Sequence, residues 1–318
     1  YNNSFFPLTC LLSPSPSRVP FKKFLQIGNP LYKVMRFPSI FINHGGGPLP
    51  LLGQQQDIST FLGSYLSTLP QKPTKILLIT AHWESDSSGE VLVNSNPTPQ
   101  LIYDYGGFPP ESYEYKYDVP GDSDLASRVC TLCNDGDFGD RKTICKFDST
   151  RGWDHGVFVP LMLLAPSSHK IPVVSMSIIK GYDSLQHIEL GEKLASLREE
   201  GVLIISSGSS FHSMGHFFAQ GQKRQEGIVG ARIFDEFLRD ILSADSTNSS
   251  NPKAALADWR KNESNANEIA HPIGEGEHLI PLMVAFGAGG SKRGKVLKCK
   301  RESKTMISEF EMSCFEFN

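Results

Sequence analysis

The chain has 318 residues, of which 39% are hydrophobic and 20% charged, and a chain of this composition can bury a large core. The formal net charge of -3 gives no basic excess of the kind that nucleic-acid binding needs, so we expect no nucleic-acid partner. The apolar runs, such as residues 75–81, are too short to span a bilayer, so we expect no membrane association.

Residues 1–35 differ in composition from the rest of the chain. No Asp or Glu occurs before Asp57, and the first residues are rich in Ser, Pro and Phe. This composition fits either an organelle transit peptide or leader sequence translated upstream of a true start at Met35, and we favour the leader. We expect residues 1–35 to be disordered and the catalytic domain to comprise residues 36–318. The expected location is the cytoplasm, or the plastid if the segment is a transit peptide.

From Phe37 onward, short runs rich in Ile and Val alternate with helical patterns. These apolar runs predict strands covered on both faces, and they occupy residues 39–43, 75–81, 91–94, 172–178 and 202–206. Helical periodicity predicts helices over 58–69, 122–133, a segment that begins after Asp183 and ends at Gly201, and 227–242. A polar surface loop is expected at 243–252. The alternation predicts a single α/β domain with a mostly parallel central sheet flanked by helices.

Three side-chain predictions accompany these helices. Asp57 is expected to cap the first helix. The helix after Asp183 should bury Leu190, Leu194 and Leu197, and the 227–242 helix should bury Ile228, Ile233, Phe237 and Ile241. Cys130 and Cys133 form a C-x-x-C inside the second helix. Without a second Cys pair or a nearby His, we interpret the six cysteines as buried or idle thiols rather than as a metal or redox site.

Three predicted strands lead into a histidine. The first is followed by His44 and three glycines, the second by His82, and the fifth leads through Gly208 to His212. Ligands of an open α/β sheet bind at the carboxyl ends of its strands, and neutral imidazoles on rigid elements suit a catalytic divalent metal. We therefore predict that His44 and His82 share a metal or active site with His212 beside them. A hydrogen-bonded structural role is the alternative for any one of them.

Two further histidines stand at the starts of apolar helices. His155, between Asp154 and a glycine, is a candidate for proton transfer, because imidazole titrates near neutral pH. The alternative is a helix start that Asp154 merely caps. Glu277 and His278 precede the other helix, which is a compact place to present a metal ligand. Three other histidines have weaker claims: surface or structural roles are expected for His169 and His187, and His216 is a candidate neighbour of the site. His271, with Pro272, precedes Glu277 and His278 in a predicted polar loop.

Six segments in chain order, NHGGGP, TAHWE, YDYGGFP, GWDHG, SGSSFH and EHLIPL, resemble the class III extradiol dioxygenase superfamily. Within it the sequence is most similar to the 4,5-DOPA extradiol dioxygenase-like branch of plants, from Phe37 to about Ala288. The resemblance implies that His44, His82 and His278 bind the metal. It implies that His212 is a further ligand or an acid–base group, and that His155 is a second catalytic histidine.

The resemblance also implies a substrate-entrance loop that contains Tyr105, Gly106, Gly107 and Phe108. Two departures from the family pattern are visible. The His271-Pro272 pair precedes Glu277-His278 by two residues more than is usual in the family, and the Lys-rich tail after Gly290 is only loosely similar.

The implied activity is non-haem, metal-dependent cleavage of a catechol ring with O2. With L-DOPA as the catechol, the product 4,5-seco-DOPA would lead to betalamic acid. One divalent metal per chain is expected, Fe(II) for activity and Zn(II) as another bound ion, with a small-molecule catechol and O2 as partners. A zinc-dependent hydrolase on the same scaffold and a non-catalytic binding protein that retains the pocket are the alternatives. The sequence specifies neither the catechol, nor 4,5 against 2,3 cleavage, nor the oligomeric state.

Overall fold

The computed structural model describes residues 36–135, 143–248, 250–261, 264–297 and 309–318, so the expectation for residues 1–35 lies outside the described residues. The strands are β1 (Ser39–Asn43), β2 (Lys75–Glu84), β3 (Glu90–Asn94), β4 (Ile144–Asp148), β5 (Val173–Ile178), β6 (Val202–Gly208), β7 (Lys295–Leu297) and β8 (Cys314–Phe317). They form one sheet in the order β4-β3-β5-β2-β6-β1-β8-β7.

The central part of the sheet is parallel. β2 pairs in parallel with β5 and β6, β6 with β1, and β3 with β4, whereas β3 meets β5, and β8 meets both β1 and β7, in antiparallel orientation. Every residue of β1, β5 and β6 is buried, as expected for strands covered on both faces. The predicted single α/β domain with a mostly parallel sheet is confirmed.

The α-helices of the described chain are α1 (Gln56–Thr68), α2 (Ser123–Asn134), α3 (His155–Leu164), α4 (Ser184–Leu194), α5 (Met214–Phe217), α6 (Gly221–Leu242), α7 (Pro252–Ala257), α8 (Ala266–Ala270) and α9 (Ile280–Ala288). Alternate residues of the strands enter two hydrophobic clusters. Phe41 packs with residues of α2, α4, α6 and α9, whereas Ile40 and Ile42 pack with residues of α1 and α3. In the described part of the chain, no helix is long and apolar enough to cross a membrane.

Several predicted boundaries were wrong. β2 continues through Glu84, so His82 lies within the strand rather than after it, with a register shift against β5 between Ile79 and Glu84. α1 begins one residue before Asp57, which lies in its first turn, and the N-cap residue is Gln55. α6 begins at Gly221, before the predicted start at residue 227. The prediction started too late because the first residues of α6 are polar and show no apolar periodicity.

The side-chain predictions were confirmed for α4 but were partly wrong for α6. Asp183 caps α4 by accepting a hydrogen bond from the backbone of Gln186, and the Leu190, Leu194 and Leu197 stripe is fully buried. Ile233 of α6 is 38% exposed, contrary to the prediction. The buried face of α6 runs through Gly230, Phe234 and Leu238, one helical position away from Ile233.

The C-x-x-C cysteines are buried and free. Cys130 and Cys133 lie on the core-facing side of α2, in the same hydrophobic cluster as Cys145 of β4. Their packing fits the interpretation of these thiols as buried core residues.

Candidate active site

The carboxyl end of β6 brings two histidine-bearing segments together. His44, which follows β1, donates its backbone N–H to the carbonyl of Gly208, and Ser209 donates its own to the carbonyl of His278. The neighbouring strand β2 presents His82. As a result, Nε2 of His82 lies 3.3 Å from Nε2 of His44 and 3.2 Å from Nε2 of His278. The three imidazoles predicted as ligands therefore lie together, despite the longer spacing before His278.

Each of the three imidazoles has an acceptor at its other ring nitrogen. Nδ1 of His44 lies 3.0 Å from Oγ of Ser207, whose own hydrogen goes to the carbonyl of Gly156. Ser207 must then accept, so Nδ1 of His44 carries the hydrogen and Nε2 has the free lone pair. Glu277 accepts from Nδ1 of His278 at 2.8 Å in the same way. This arrangement of outer acceptors is typical of metal-binding histidines.

The third imidazole, His82, has its Nδ1 3.4 Å from Oδ2 of Asp104. A carboxylate at that distance favours a hydrogen on Nδ1 of His82 as well, which leaves its Nε2 as a lone-pair donor beside those of His44 and His278. Lone pairs at 3.2–3.3 Å repel one another unless a cation lies between them. Two nitrogens that bind one ion at about 2.0–2.2 Å are about 2.8–3.6 Å apart, for ligand angles between octahedral and tetrahedral. The donor set therefore fits one divalent metal ion.

Electrostatics keep these imidazoles neutral, as metal ligands must be. Burial, followed by the neighbouring imidazoles, lowers the pKa of His44 and of His278 well below the usual value. Burial and then the charge of His155 lower the pKa of His82 to about 3, against the opposing effect of Asp104. Protons therefore do not compete with a metal at neutral pH.

His155, the first residue of α3, lies against this cluster. Its ring centroid is 3.9 Å from that of His82, and its Nδ1 lies 2.9 Å from Oδ1 of Asp104, which also accepts its backbone N–H. Burial alone would raise the pKa of Asp104, but the bonds from His155 outweigh it and lower that pKa. Nε2 of His155 is thereby left as a free acceptor.

Asp154 does not cap α3 through its side chain. It accepts instead from Thr80 at 2.8 Å and from Arg151 at 3.1 Å, and burial followed by the charge of Asp104 raises its pKa. The acid that bonds His155 is therefore Asp104 and not the adjacent Asp154, and the alternative that Asp154 caps the helix through its side chain is wrong. Asp104 lies in the quoted YDYGGFP segment, and its only sequence signal was that position.

His212 stacks on the ring of His278. The two rings stack with centroids 3.4 Å apart, and Nδ1 of His212 lies 3.4 Å from Oε1 of Glu277. His212 groups with Glu277 and His278 as a possible ligand set, whereas His44, His82 and His278 form another. Burial followed by the charge of His155 lowers the pKa of His212 to about 4.

The histidines open into a cavity of about 510 Å³, a size typical of small-molecule sites. Tyr105 and Phe108 of the predicted entrance loop line it together with His155 and His212, and the ring centroids of Tyr105 and His155 are 5.8 Å apart. Gly106 and Gly107 of that loop are exposed.

The glycine after His44 is needed for a tight turn. Gly45 has a φ of +90°, and a Cβ there would meet Oε1 of Gln55 at 2.4 Å. That oxygen accepts the backbone N–H of Gly46 and so holds the turn beside the cavity.

The other histidines lie outside the cluster. His187 and His271 are buried and hydrogen-bonded, the first to the carbonyl of Asp183 and the second to that of Ser210. His169 is exposed, and His216 pairs with Ser213 rather than with a cluster residue. The structural and surface roles predicted for His169 and His187 agree with these positions. His271, expected in a polar loop, is fully buried.

Comparison with known proteins agrees with this site. Residues 48–310 match the family described as the catalytic LigB subunit of aromatic ring-opening dioxygenase. The chain is 37% identical over 256 residues to a 4,5-DOPA dioxygenase extradiol of Beta vulgaris, covering 79% of this chain and 87% of that protein. It is 36% identical over 268 residues to the dioxygenase tasH of Hapsidospora irregularis, covering 79% and 78%.

A solved structure supports the fold alone. An uncharacterized protein from Escherichia coli K12 superimposes with a TM-score of 0.62 at 22% identity, covering 89% of this chain and all of that one. The family match spans most of the chain, including four of the five site histidines, and His44 lies just before it. The chain belongs to the LigB family of class III extradiol ring-opening dioxygenases.

Proposed function

We propose that this protein opens the ring of a catechol with O2, using one ferrous ion bound by His44, His82 and His278. The observation that supports this most strongly is the convergence of the three Nε2 lone pairs, each oriented by an acceptor at Nδ1. Three neutral ligands leave open positions at an ion, as a catalytic centre that binds both catechol and O2 requires. His212, beside His278, is a further ligand or a close neighbour of the ion.

When bound, the ferrous ion supplies the redox coupling between catechol and O2. The protein's own contribution is to position the substrate and transfer protons. His155 accepts a catechol proton at Nε2, because Asp104 occupies its Nδ1. The resulting imidazolium lies next to the Asp104 carboxylate, which stabilises its charge. His212 lines the same cavity and shares the acid–base work.

The overall reaction adds both atoms of O2 across a ring carbon–carbon bond beside the diol. A ring-opened product with an aldehyde and a carboxylic acid results. L-DOPA is the reference substrate, because relatives carry 4,5-DOPA dioxygenase in their names. Cleavage of its 4,5 bond would give 4,5-seco-DOPA, which cyclises to betalamic acid.

The test is anaerobic reconstitution with ferrous ion, followed by O2 uptake and product absorbance with a panel of catechols that includes L-DOPA. We expect stoichiometric O2 consumption and a yellow ring-opened product with Fe(II), and none with Zn(II). Turnover of esters by the Zn(II) form alone would instead indicate the hydrolase. Catechol binding without turnover in the Fe(II) form would indicate a binding protein.

His82→Ala is the negative control, since it removes one of the three neighbouring ligand nitrogens. It should abolish both metal content and O2 uptake.

A further inference from the structure

The cavity that contains the histidines is mostly apolar away from them. Its remaining wall includes Met214, Phe217 and Phe218 from α5 and its C-terminus, together with Leu49 and Met312. Met214 is 46% exposed and Phe218 67% exposed. With Phe217 they give the rim of the cavity an apolar surface that a hydrophobic ligand can cover.

The polar groups of this wall are uncharged, and two of them, Asn43 and Ser209, are engaged within the protein. Asn43 donates to the carbonyl of Ser313 and accepts from the backbone of Ser210, and Ser209 donates to the carbonyl of Phe211. The hydrogen-bonding groups of these two side chains are therefore largely used before a ligand arrives. Gln55, which lines the same cavity, differs from them, because its buried Nε2 has no hydrogen-bond partner and can donate to an uncharged oxygen of a ligand.

No Lys or Arg is among the described residues that line the cavity. The nearest acids are Asp104 and Glu277, beside the histidine cluster. Both lie at the histidine end of the cavity, so a carboxylate on a substituent at the α5 end would meet apolar surface and no cation of the described lining residues. Removing an unpaired carboxylate from water into such surroundings is strongly unfavourable.

We infer that the substrate is a catechol with an uncharged, hydrophobic substituent of several carbons, which packs against α5 and Met312 while the diol meets the histidines. This inference rests on the proposed ring cleavage and adds the substrate class. The volume of about 510 Å³ leaves room for such a substituent beyond the aromatic ring. Burial of each methylene in the apolar part should raise kcat/KM about fourfold.

A matched pair of catechols tests the inference in the Fe(II)-reconstituted protein. 4-Propylcatechol and 3-(3,4-dihydroxyphenyl)propionate differ only by a methyl group in place of a carboxylate. We expect kcat/KM to be at least about 100-fold higher for 4-propylcatechol than for the propionate, because the carboxylate of the propionate would be buried without a cation. For 4-butylcatechol kcat/KM should rise further. Equal or higher values for the propionate, or for L-DOPA, would overturn the inference.

Binding to the redox-inert Zn(II) form separates this inference from the proposed reaction. Calorimetric titration with the same pair should show the same preference, because the selectivity arises from the wall and not from turnover. If no catechol is cleaved yet 4-propylcatechol binds more tightly, the proposed reaction fails and the substrate class stands. If cleavage occurs without this preference, the proposed reaction stands and the substrate class fails.

Phe218→Arg introduces a cation at the exposed rim. It should raise kcat/KM for the propionate at least about tenfold, by pairing its carboxylate, and should not raise it for 4-propylcatechol. Phe147→Arg is the matched control, because Phe147 is 54% exposed on β4 at the sheet edge and does not line the cavity. Phe147→Arg should leave the ratio of kcat/KM for the propionate to kcat/KM for 4-propylcatechol unchanged. An unchanged ratio in Phe218→Arg would contradict the assignment of α5 to the substrate wall.

Discussion

Asp104→Asn tests whether one carboxylate orients both a metal ligand and the proposed base. Oδ1 of Asp104 accepts from Nδ1 and the backbone of His155 at 2.9 and 2.8 Å, and Oδ2 lies 3.4 Å from Nδ1 of His82. Asparagine has nearly the same size but offers one oxygen and one donor group, so only one of the two imidazoles keeps its acceptor. The other imidazole must turn or change tautomer.

A charge-assisted hydrogen bond of this kind contributes about 1.5–3 kcal/mol, which corresponds to a factor of about 10 to 100. We expect kcat to fall by about that factor, with ferrous-ion affinity weakened about tenfold or more. Initial rates of O2 uptake and competition with a chromophoric chelator measure the two effects. Glu111→Gln, an exposed charge removal in the same region of the chain, is the control and should change neither. Wild-type kcat and metal affinity in Asp104→Asn would refute the bridging role.

Three other perturbations have distinct expected outcomes. His155→Ala should leave metal content near one ion per chain but lower kcat about 10²–10⁴-fold; loss of the metal, measured by elemental analysis, would make His155 a ligand. His187 is buried, and burial lowers its pKa from 6.5 to about 4, so the unfolded chain binds its proton first on acidification. The apoprotein should therefore lose about 3 kcal/mol of unfolding free energy between pH 6.5 and 4 through this group; a His187→Gln variant with the same pH slope in urea titrations would contradict this. Arg198, fully buried, donates to the carbonyls of Phe37, Ala288 and Phe317. Arg198→Met should lower the free energy of unfolding, measured by urea titration, by about 3 kcal/mol or more, whereas an unchanged free energy would show that the three carbonyls find other partners.

The predictable part of the site follows from one rule. Apolar runs that lead into His44, His82 and His212 were recognisable as strands, and parallel strands present their carboxyl ends at one edge. His155 and His278 were recognised as candidates at the starts of apolar helices, but only the motif resemblance implied that they join the same site, since the local pattern of a helix start does not say which strand end it will meet.

The parts of the site and sheet that were not predicted depend on tertiary contacts, which the local hydrophobic periodicity of the sequence does not indicate. Asp104 lies in a loop outside any helix or strand, and its role depends on a loop fold that brings it to His155. β4 was missed because only one of its five residues is buried, so an edge strand of this kind lacks an apolar run. β8 was missed for another reason, because it belongs to the sheet through a long-range antiparallel pairing with β1.

The fate of molecular oxygen tests the central proposal most directly. The Fe(II)-reconstituted protein is mixed with 4-propylcatechol under oxygen-18 gas, and the aldehyde is reduced at once with borohydride so that its label cannot exchange with water. If His44, His82 and His278 bind the ion of an extradiol dioxygenase, mass spectrometry should find both labelled atoms in each ring-opened product, and none in material from His82→Ala. A product that carries oxygen from water alone, or an intact ring oxidised to a quinone, would contradict the proposal.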